Sequence, residues 1–125
     1  MSKILASYIA FWKRAFDFSG RSSRAEYWYA IVGHILASIV LSFFLGILSV
    51  VFGDESFIVA AISGLYSLVL LIPSISVGVR RLHDIGFSGL LYLINLTGIG
   101  SVVLLILACM KGQPGANKYG MSNDF

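Results

Sequence analysis

The chain has 125 residues, of which 58% are hydrophobic and only 12% are charged, and its mean hydropathy is +0.88. Soluble domains carry about a quarter charged residues, so this composition excludes a water-soluble domain and predicts a single, all-α domain embedded in the lipid bilayer. The net charge of +3 does not indicate a nucleic-acid partner, because the basic residues flank apolar segments and form no stripe.

The first predicted element is an amphipathic helix over residues 3–18. Apolar side chains, among them Tyr8 and Trp12, recur at helical spacing, while Lys13 and Arg14 lie mostly off that face. The pattern is typical of a helix that lies in the membrane interface. A partly frayed tail with hydrophobic anchors is the alternative.

The first predicted membrane span covers residues 24–52. Ser23 and Glu26 have the spacing of a capping box, which places a helix start near Arg24. No charged residue follows between Trp28 and Phe52. At about 1.5 Å per residue this segment exceeds a hydrocarbon core of about 30 Å.

A turn at residues 53–56 leads to the second predicted span, residues 57–79. Pro73 is expected to kink this helix because proline has no N–H to donate to the preceding turn. Arg80 and Arg81 are expected to end it and to begin a polar loop over residues 80–89.

Residues 90–110 are the third predicted span, and residues 111–125 form a polar tail. Asn95 and nearby glycines favour a bend or even a re-entrant hairpin in this span. We prefer a straight crossing, because neither half alone is long enough to cross. The sequence thus predicts three transmembrane helices after an interfacial helix.

The distribution of Lys and Arg predicts the orientation. Three crossings with a cytoplasmic N-terminus place seven of these residues inside and two outside, whereas a re-entrant third segment places all nine inside. The count therefore leans mildly against a straight third crossing, while both topologies predict a cytoplasmic N-terminus and a multi-pass protein.

Small residues recur along both long helices and predict their contact faces. In the first span Ala30, Ser38 and Gly46 belong to such a stripe, and in the second span Gly64 and Gly78 do. Helices in lipid associate where small residues let their backbones approach closely.

Seven polar residues are predicted to converge at the cytoplasmic face, and we call them the basic cluster. They are Arg21, Arg24, Glu26, Arg80, Arg81, His83 and Asp84. One interpretation is that the arginines fix topology and pair with the carboxylates. The other is that their guanidinium groups bind a partner or an anionic phospholipid, since arginine suits phosphate geometry.

Two polar residues lie within the predicted spans, His34 and Asn95. Packing and interhelical hydrogen bonds are one interpretation. The other is that His34, Asn95 and the Pro73 kink line a polar path in an oligomeric transporter or channel component, because ionisable groups inside a membrane are often functional.

The sequence contains no catalytic constellation that we recognise, so we expect a non-enzymatic protein without a cofactor. His83 and Asp84 are adjacent and point differently on most backbones, and two histidines do not make a metal site. A membrane enzyme that uses Glu26, His83 and Asp84 is the least favoured alternative. The expected partners are the bilayer, anionic phospholipid, a second copy or another membrane protein.

Three stretches of the chain resemble the signatures of a known family, the bacterial inner-membrane family catalogued as domain of unknown function 805. They are residues 20–28 (GRSSRAEYW), 80–89 (RRLHDIGFSG) and 112–120 (GQPGANKYG). A mild departure is Leu90, where the family often has tryptophan. The resemblance implies a bacterial cytoplasmic membrane location and a small helical fold, and it implies no activity, substrate or catalytic residue.

Overall fold

The computed structural model describes residues 2–53 and 57–121, and within these residues it is helical. The elements are α1 (Lys3–Lys13), α2 (Arg24–Phe52), α3 (Phe57–Asp84), a 3₁₀ helix (Gly89–Leu96) and α4 (Gly98–Cys109). The predicted turn at 53–56 lies, apart from Gly53, outside the described residues, as do the last four residues of the tail.

Helices α2 and α3 have the length and composition of membrane spans. At about 1.5 Å per residue, their 29 and 28 residues extend over about 40 Å each, more than a hydrocarbon core. None of the most apolar 18-residue window of α2 is buried inside the protein, and only 6% of that window in α3 is. These apolar surfaces face outward, which distinguishes both helices from core helices of a soluble domain.

Helix α1 runs antiparallel to α2 and is packed against it. Leu5 and Leu36 line the same groove, Tyr8 lies against Gly33, and Arg14 reaches Glu26 at the start of α2. The helix ends at Lys13, whereas the sequence predicted residues 3–18.

The apolar face of α1 contributes to the small hydrophobic core. Phe11 packs with Ala30 of α2 and Val77 of α3, and Tyr8 and Trp12 pack against this core. The predicted amphipathic pattern is therefore present, but much of its apolar face contacts helices. The pattern alone could not separate these two environments, because lipid and a neighbouring helix are equally apolar.

Helix α3 continues to Asp84, so Arg80 and Arg81 end the apolar stretch but not the helix. The predicted polar loop is accordingly helical over its first half. A Schellman motif ends α3: Phe87 N–H donates to Leu82 O (2.9 Å) and Gly86 N–H donates to His83 O (3.1 Å). Gly86 has φ +90°, a conformation that glycine adopts without steric cost.

Residues 89–110 form a hairpin with two short arms, the 3₁₀ helix and α4. Gly89 lies against Val79 and His83 near the end of α3, and the Ala108 and Met110 carbonyls accept hydrogen bonds from Arg81. Both ends of the segment thus lie at the same end of α3. The straight third crossing that we preferred is therefore not confirmed, because the segment returns to the end of α3 from which it starts.

The tip of the hairpin is held by local hydrogen bonds. Thr97 caps α4 by accepting from Gly100 N–H (2.9 Å), and its hydroxyl donates to Ile94 O (2.9 Å). A side chain at Gly100 would overlap the Ile94 carbonyl, so only glycine fits. Eight residues of 3₁₀ helix rise about 16 Å and twelve of α-helix about 18 Å. Neither arm spans about 30 Å of hydrocarbon.

Candidate functional site

The structure brings all seven residues of the basic cluster to one end of α2 and α3. Six of them are buried, and Arg24 is exposed. The N-terminal loop supplies Arg21, the first turn of α2 supplies Arg24 and Glu26, and the last turns of α3 supply the other four. The predicted convergence is therefore observed.

Asp84 lies at the centre of the basic cluster, between two buried guanidinium groups. Its Oδ1 is 2.9 Å from the Nη2 of Arg21, and its Oδ2 is 2.7 Å from the Nη1 of Arg81. One carboxylate thus bridges the N-terminal loop and α3. The arrangement is a buried ion triad, in which the loss of one partner leaves a charge uncompensated.

Arg21 also holds the C-terminal tail. Its Nη1 donates to the carbonyls of Gly115 (2.6 Å) and Gly120 (3.1 Å), and its Nη2 donates to the carbonyl of Gln113 (2.6 Å). The N–H of Gln113 in turn donates to Asp84 O (2.8 Å). The tail is therefore fixed by backbone carbonyls, which a sequence pattern of side chains does not reveal.

Arg81 holds the far end of the hairpin in the same way. Its Nε donates to Ala108 O (3.2 Å), and its Nη2 donates to Met110 O. The Ala108 carbonyl also accepts from the indole N–H of Trp28 (3.1 Å). These bonds satisfy the last carbonyls of α4, which have no partner within their own helix.

Arg80 turns the other way and binds the N-terminal loop. Its Nε donates to Ser22 Oγ (2.8 Å), and its Nη1 donates to the carbonyls of Arg14 (2.7 Å) and Asp17 (2.9 Å). The side chain is completely buried. Of these two adjacent arginines of α3, Arg80 thus holds the N-terminal loop, whereas Arg81 holds mainly the end of the hairpin.

Arg14 is a member of this network that the sequence pattern placed only in the amphipathic helix predicted over residues 3–18. Its Nη1 donates to Glu26 Oε1 (2.9 Å), and its Nη2 is 3.0 Å from Asp17 Oδ2. Burial by itself would raise the pKa of Asp17, but hydrogen bonds from Arg14 and the N–H groups of Gly20 and Ser19 outweigh it, and the pKa is about 2. The contact between residues twelve apart had no local signal.

His83 contacts the tail through its ring. The imidazole stacks on Tyr119 with 3.8 Å between the ring centroids, and its Nδ1 lies 2.9 Å from Gly20 O. Asn117 donates to His83 O (2.9 Å). The three stretches that resemble family signatures, residues 20–28, 80–89 and 112–120, are thus the parts that contact each other here.

The exposed rim of the basic cluster contains a cleft of about 280 Å³ at the start of α2, and we call it the rim cleft. Arg24 lines it from the start of α2, and Lys111, Gln113 and Pro114 line it from the segment after α4. Both basic side chains are exposed. The rim cleft is therefore the part of the basic cluster where guanidinium and ammonium groups meet the surroundings.

The two polar residues within the membrane segments lie on different cavities. His34 lines one with Ser74, and Asn95 lines another with Ser101, while Tyr92 lines both. Asn95 accepts from Ser101 Oγ (2.7 Å), so it closes the hairpin tip. The transporter interpretation stays a prediction.

The described residues contain no group of three or more His, Cys, Asp or Glu side chains that could hold a metal ion. Cys109 is a free, exposed thiol at the end of α4.

Comparison with known proteins identifies the family. A family model described as "Protein of unknown function (DUF805)" matches residues 15–121. The chain belongs to the DUF805 family. The resemblance noted in the sequence is therefore confirmed.

Two relatives from Escherichia coli (strain K12) are similar over nearly their whole length. "Inner membrane protein YhaI" is 33% identical over 122 residues, which cover 94% of this chain and 95% of the relative. "Inner membrane protein YhaH" is 32% identical over 122 residues, which cover 94% and 90%. No solved structure matches the chain. The apolar helices described above accord with relatives named as inner-membrane proteins.

Proposed function

We propose that this protein is a non-enzymatic interaction protein of the bacterial inner membrane, whose rim cleft binds the head group of an anionic phospholipid at the cytoplasmic surface. The observation that carries the proposal is the exposure of Arg24 and Lys111 on one cleft beside an otherwise buried basic cluster. Basic pockets at the cytoplasmic membrane surface bind anionic head groups.

The orientation follows from the distribution of positive charge. Residues 25–79 contain no Lys or Arg, so all nine lie on one side of the two long helices if these helices span the bilayer and the hairpin does not. Positive residues in short loops favour the cytoplasmic side. The proposal therefore places the N-terminal loop, the ends of the hairpin and the tail in the cytoplasm.

The buried arginines are assigned a structural role in this proposal. Arg21 and Arg81 use their donors on Asp84 and on backbone carbonyls of the tail and hairpin. A lipid phosphate would have to displace these bonds, whereas the hydrogen bond that the exposed Arg24 donates to Cys109 O is long (3.3 Å). An anion that binds in the rim cleft therefore has to break fewer existing hydrogen bonds than one that binds to Arg21 or Arg81.

The test is native mass spectrometry of the full chain released from mild detergent, with defined phosphatidylglycerol or phosphatidylcholine added. The parent is compared with Arg24→Gln plus Lys111→Gln, and with the matched control Lys3→Gln plus Lys13→Gln, which removes the same charge from exposed sites elsewhere.

We expect the rim variant to lose most of the retained phosphatidylglycerol, and the control to retain it. Equal retention in both variants, or equal retention of phosphatidylcholine by the parent, would contradict the lipid site. A dimer or a copurifying protein that the rim variant loses, with lipid retention unchanged, would instead make the rim cleft a site for a second copy or another membrane protein.

A further inference from the structure

The tip of the hairpin, residues 95–99, is exposed along its whole length. The chain passes here from the 3₁₀ helix to α4, and Thr97 between them has an extended backbone with φ −107° and ψ 150°. Leu96 and Ile99 are 88% and 82% exposed. The tip is therefore a break in the helical backbone that the rest of the described chain leaves uncovered.

The depth of this tip follows from α3, with α2 and α3 spanning the bilayer and the hairpin not. A hydrocarbon core of about 30 Å takes about 20 residues of helix, which in α3 reach from Phe57 to a level just before Val79. The 3₁₀ helix begins beside Val79 and runs back along α3, since Tyr92 lies against Gly78 and lines a cavity with Ser74. Its eight residues rise about 16 Å. The tip thus lies on the order of 10 Å inside the hydrocarbon.

Exposed polar groups are costly at this depth. Acyl chains offer no hydrogen bonds, so non-helical backbone within the hydrocarbon occurs where it is buried in protein or lines water. The hydroxyl of Thr97 is used inside the hairpin, because it donates to Ile94 O and accepts from Gly100 N–H. The side chain of Asn95 is the group that still has hydrogen-bonding capacity to satisfy.

The amide of Asn95 keeps one donor and one acceptor. Its Oδ1 accepts from Ser101 Oγ (2.7 Å), and an amide oxygen has a second lone pair. Its Nδ2 carries two hydrogens, of which Tyr92 takes up at most one. One N–H and one lone pair of the same amide therefore remain at an exposed position.

We propose that the hairpin tip is a contact between two copies of this chain, in which Asn95 of each copy donates to Asn95 of the other across a twofold axis. An amide is self-complementary in this arrangement, because each supplies the donor and the acceptor that the other needs. Residues 89–110 contain no charged side chain that would select a different partner. The proposal rests on the re-entrant topology above and not on the lipid site.

The backbone beside this amide permits a close approach. Gly98 has no side chain, and a Cβ added there would meet no atom within 4 Å. Helices in lipid associate where small residues let their backbones approach and where Asn and similar side chains form hydrogen bonds between them. Leu96 and Ile99 of each copy would then cover the break in the backbone of the other.

The experiment is disulfide cross-linking of the full chain in a Cys109→Ala background, in phosphatidylcholine bilayers without anionic lipid, so that the outcome is independent of the rim cleft. Leu96→Cys places a thiol beside the proposed axis. Val50→Cys is the matched control, since both side chains are 88% exposed and Val50 lies near the far end of α2. With a membrane-permeant oxidant, we expect covalent dimers from Leu96→Cys and few from Val50→Cys.

Three further changes in the Leu96→Cys chain identify the amide. Asn95→Leu removes both intermolecular hydrogen bonds and should weaken dimerisation about tenfold. Ser67→Leu removes an exposed hydroxyl of α3 that donates within its own helix to Ser63 O, and it should leave the dimer unchanged. Ser101→Ala removes the internal partner of Asn95 but keeps the amide, so the dimer should persist.

Energy transfer between copies labelled at Ser19→Cys gives a second measure of association that does not depend on the geometry of a disulfide. Absence of both energy transfer and cross-links would overturn the proposal, and reaction of such a monomer at Leu96→Cys with a membrane-impermeant maleimide would show that water covers the tip. A dimer weakened equally by Asn95→Leu and Ser101→Ala, or by neither, would exclude the amide pair. In native membranes, a cross-link from Leu96→Cys to a different protein in place of the dimer would also overturn it.

Discussion

The two ends of α2 and α3 are built in opposite ways. At the end with the basic cluster, six of its seven side chains are buried, and their hydrogen bonds join the N-terminal loop, α3, the hairpin and the tail. Toward the other end the large apolar side chains are exposed, and a Cβ added at Gly46 or Gly64 would meet no atom within 4 Å. The tertiary contacts that specify the fold are therefore concentrated at the polar end.

This difference follows from the solvent that each end meets. Between helices in lipid there is no hydrophobic driving force, since lipid tails are as apolar as leucine. The far halves of α2 and α3 are thus stable as single helices without close contact. At the polar end, by contrast, the arginines satisfy carbonyls that would otherwise be unpaired, so removing one partner there should cost far more than removing one elsewhere.

The largest expected effect comes from Asp84→Asn, which keeps the shape of the side chain and removes its charge. Arg21 and Arg81 would then be buried without their carboxylate, and we expect a loss of about 3–5 kcal/mol in the free energy of unfolding. Unfolding by SDS in mixed micelles, followed by circular dichroism, measures it.

The tail gives a second measurement on the same variant. The Asp84 carboxylate positions the guanidinium of Arg21, which donates to Gln113 O, so proteolysis in the tail should become faster in Asp84→Asn. A stability within 1 kcal/mol of the parent, with an unchanged rate of tail cleavage, would mean that the triad does not hold this end together.

An intermediate effect is expected from a matched pair of glycines on α3. A methyl group at Gly78 would overlap the ring of Tyr92, so Gly78→Ala should cost about 1–3 kcal/mol. Gly64 faces open space, and Gly64→Ala should be neutral or stabilise by up to about 1 kcal/mol through helix propensity.

Both glycine variants are measured by the same unfolding assay. Equal costs at the two positions would contradict the view that α3 makes its close contacts near the polar end only.

The smallest effect is expected from Asp17→Asn, the same chemical change as at Asp84 in a side chain that is 32% exposed. We expect a cost below about 1 kcal/mol near neutral pH. The pKa of Asp17 is lowered from 3.8 to about 2 in the folded protein, so its stabilisation is present above pH 3.8 and is lost as the pH falls toward 2.

The difference in stability between the parent and Asp17→Asn should therefore disappear between pH 4 and about pH 2. A difference that persists unchanged at pH 2 would exclude the charge of Asp17 as its source.

The sequence predicted the features that depend on local chemistry. The helix start at Ser23 is confirmed, since its Oγ accepts from Glu26 N–H (3.1 Å), and apolar helices long enough to span a membrane are present. The family was recognisable from its three signature stretches.

The features that depend on distant backbone atoms were missed. The small-residue stripes were predicted to be the contact faces of α2 and α3, yet Gly46 and Gly64 are exposed, and Gly78 lies against Tyr92 of the 3₁₀ helix. Arg81 holds the end of the hairpin by donating to the backbone carbonyls of Ala108 and Met110. Every residue type has such a carbonyl, so the sequence does not mark these positions. Asn95, the nearby glycines and the Lys and Arg count favoured a return of this segment, but no side-chain pattern indicated the carbonyls that hold its end.

We propose that two spans and a re-entrant hairpin bring the tail back to the side of the N-terminal loop. In a Cys109→Ala background, single cysteines replace Ser19 in that loop, Ala116 in the tail and Phe52 at the far end of α2, all of them exposed. A membrane-impermeant maleimide is applied to spheroplasts and to inverted membrane vesicles. We expect Ser19→Cys and Ala116→Cys to react only in inverted vesicles and Phe52→Cys only in spheroplasts. Reaction of Ala116→Cys together with Phe52→Cys would contradict the hairpin and restore a third crossing.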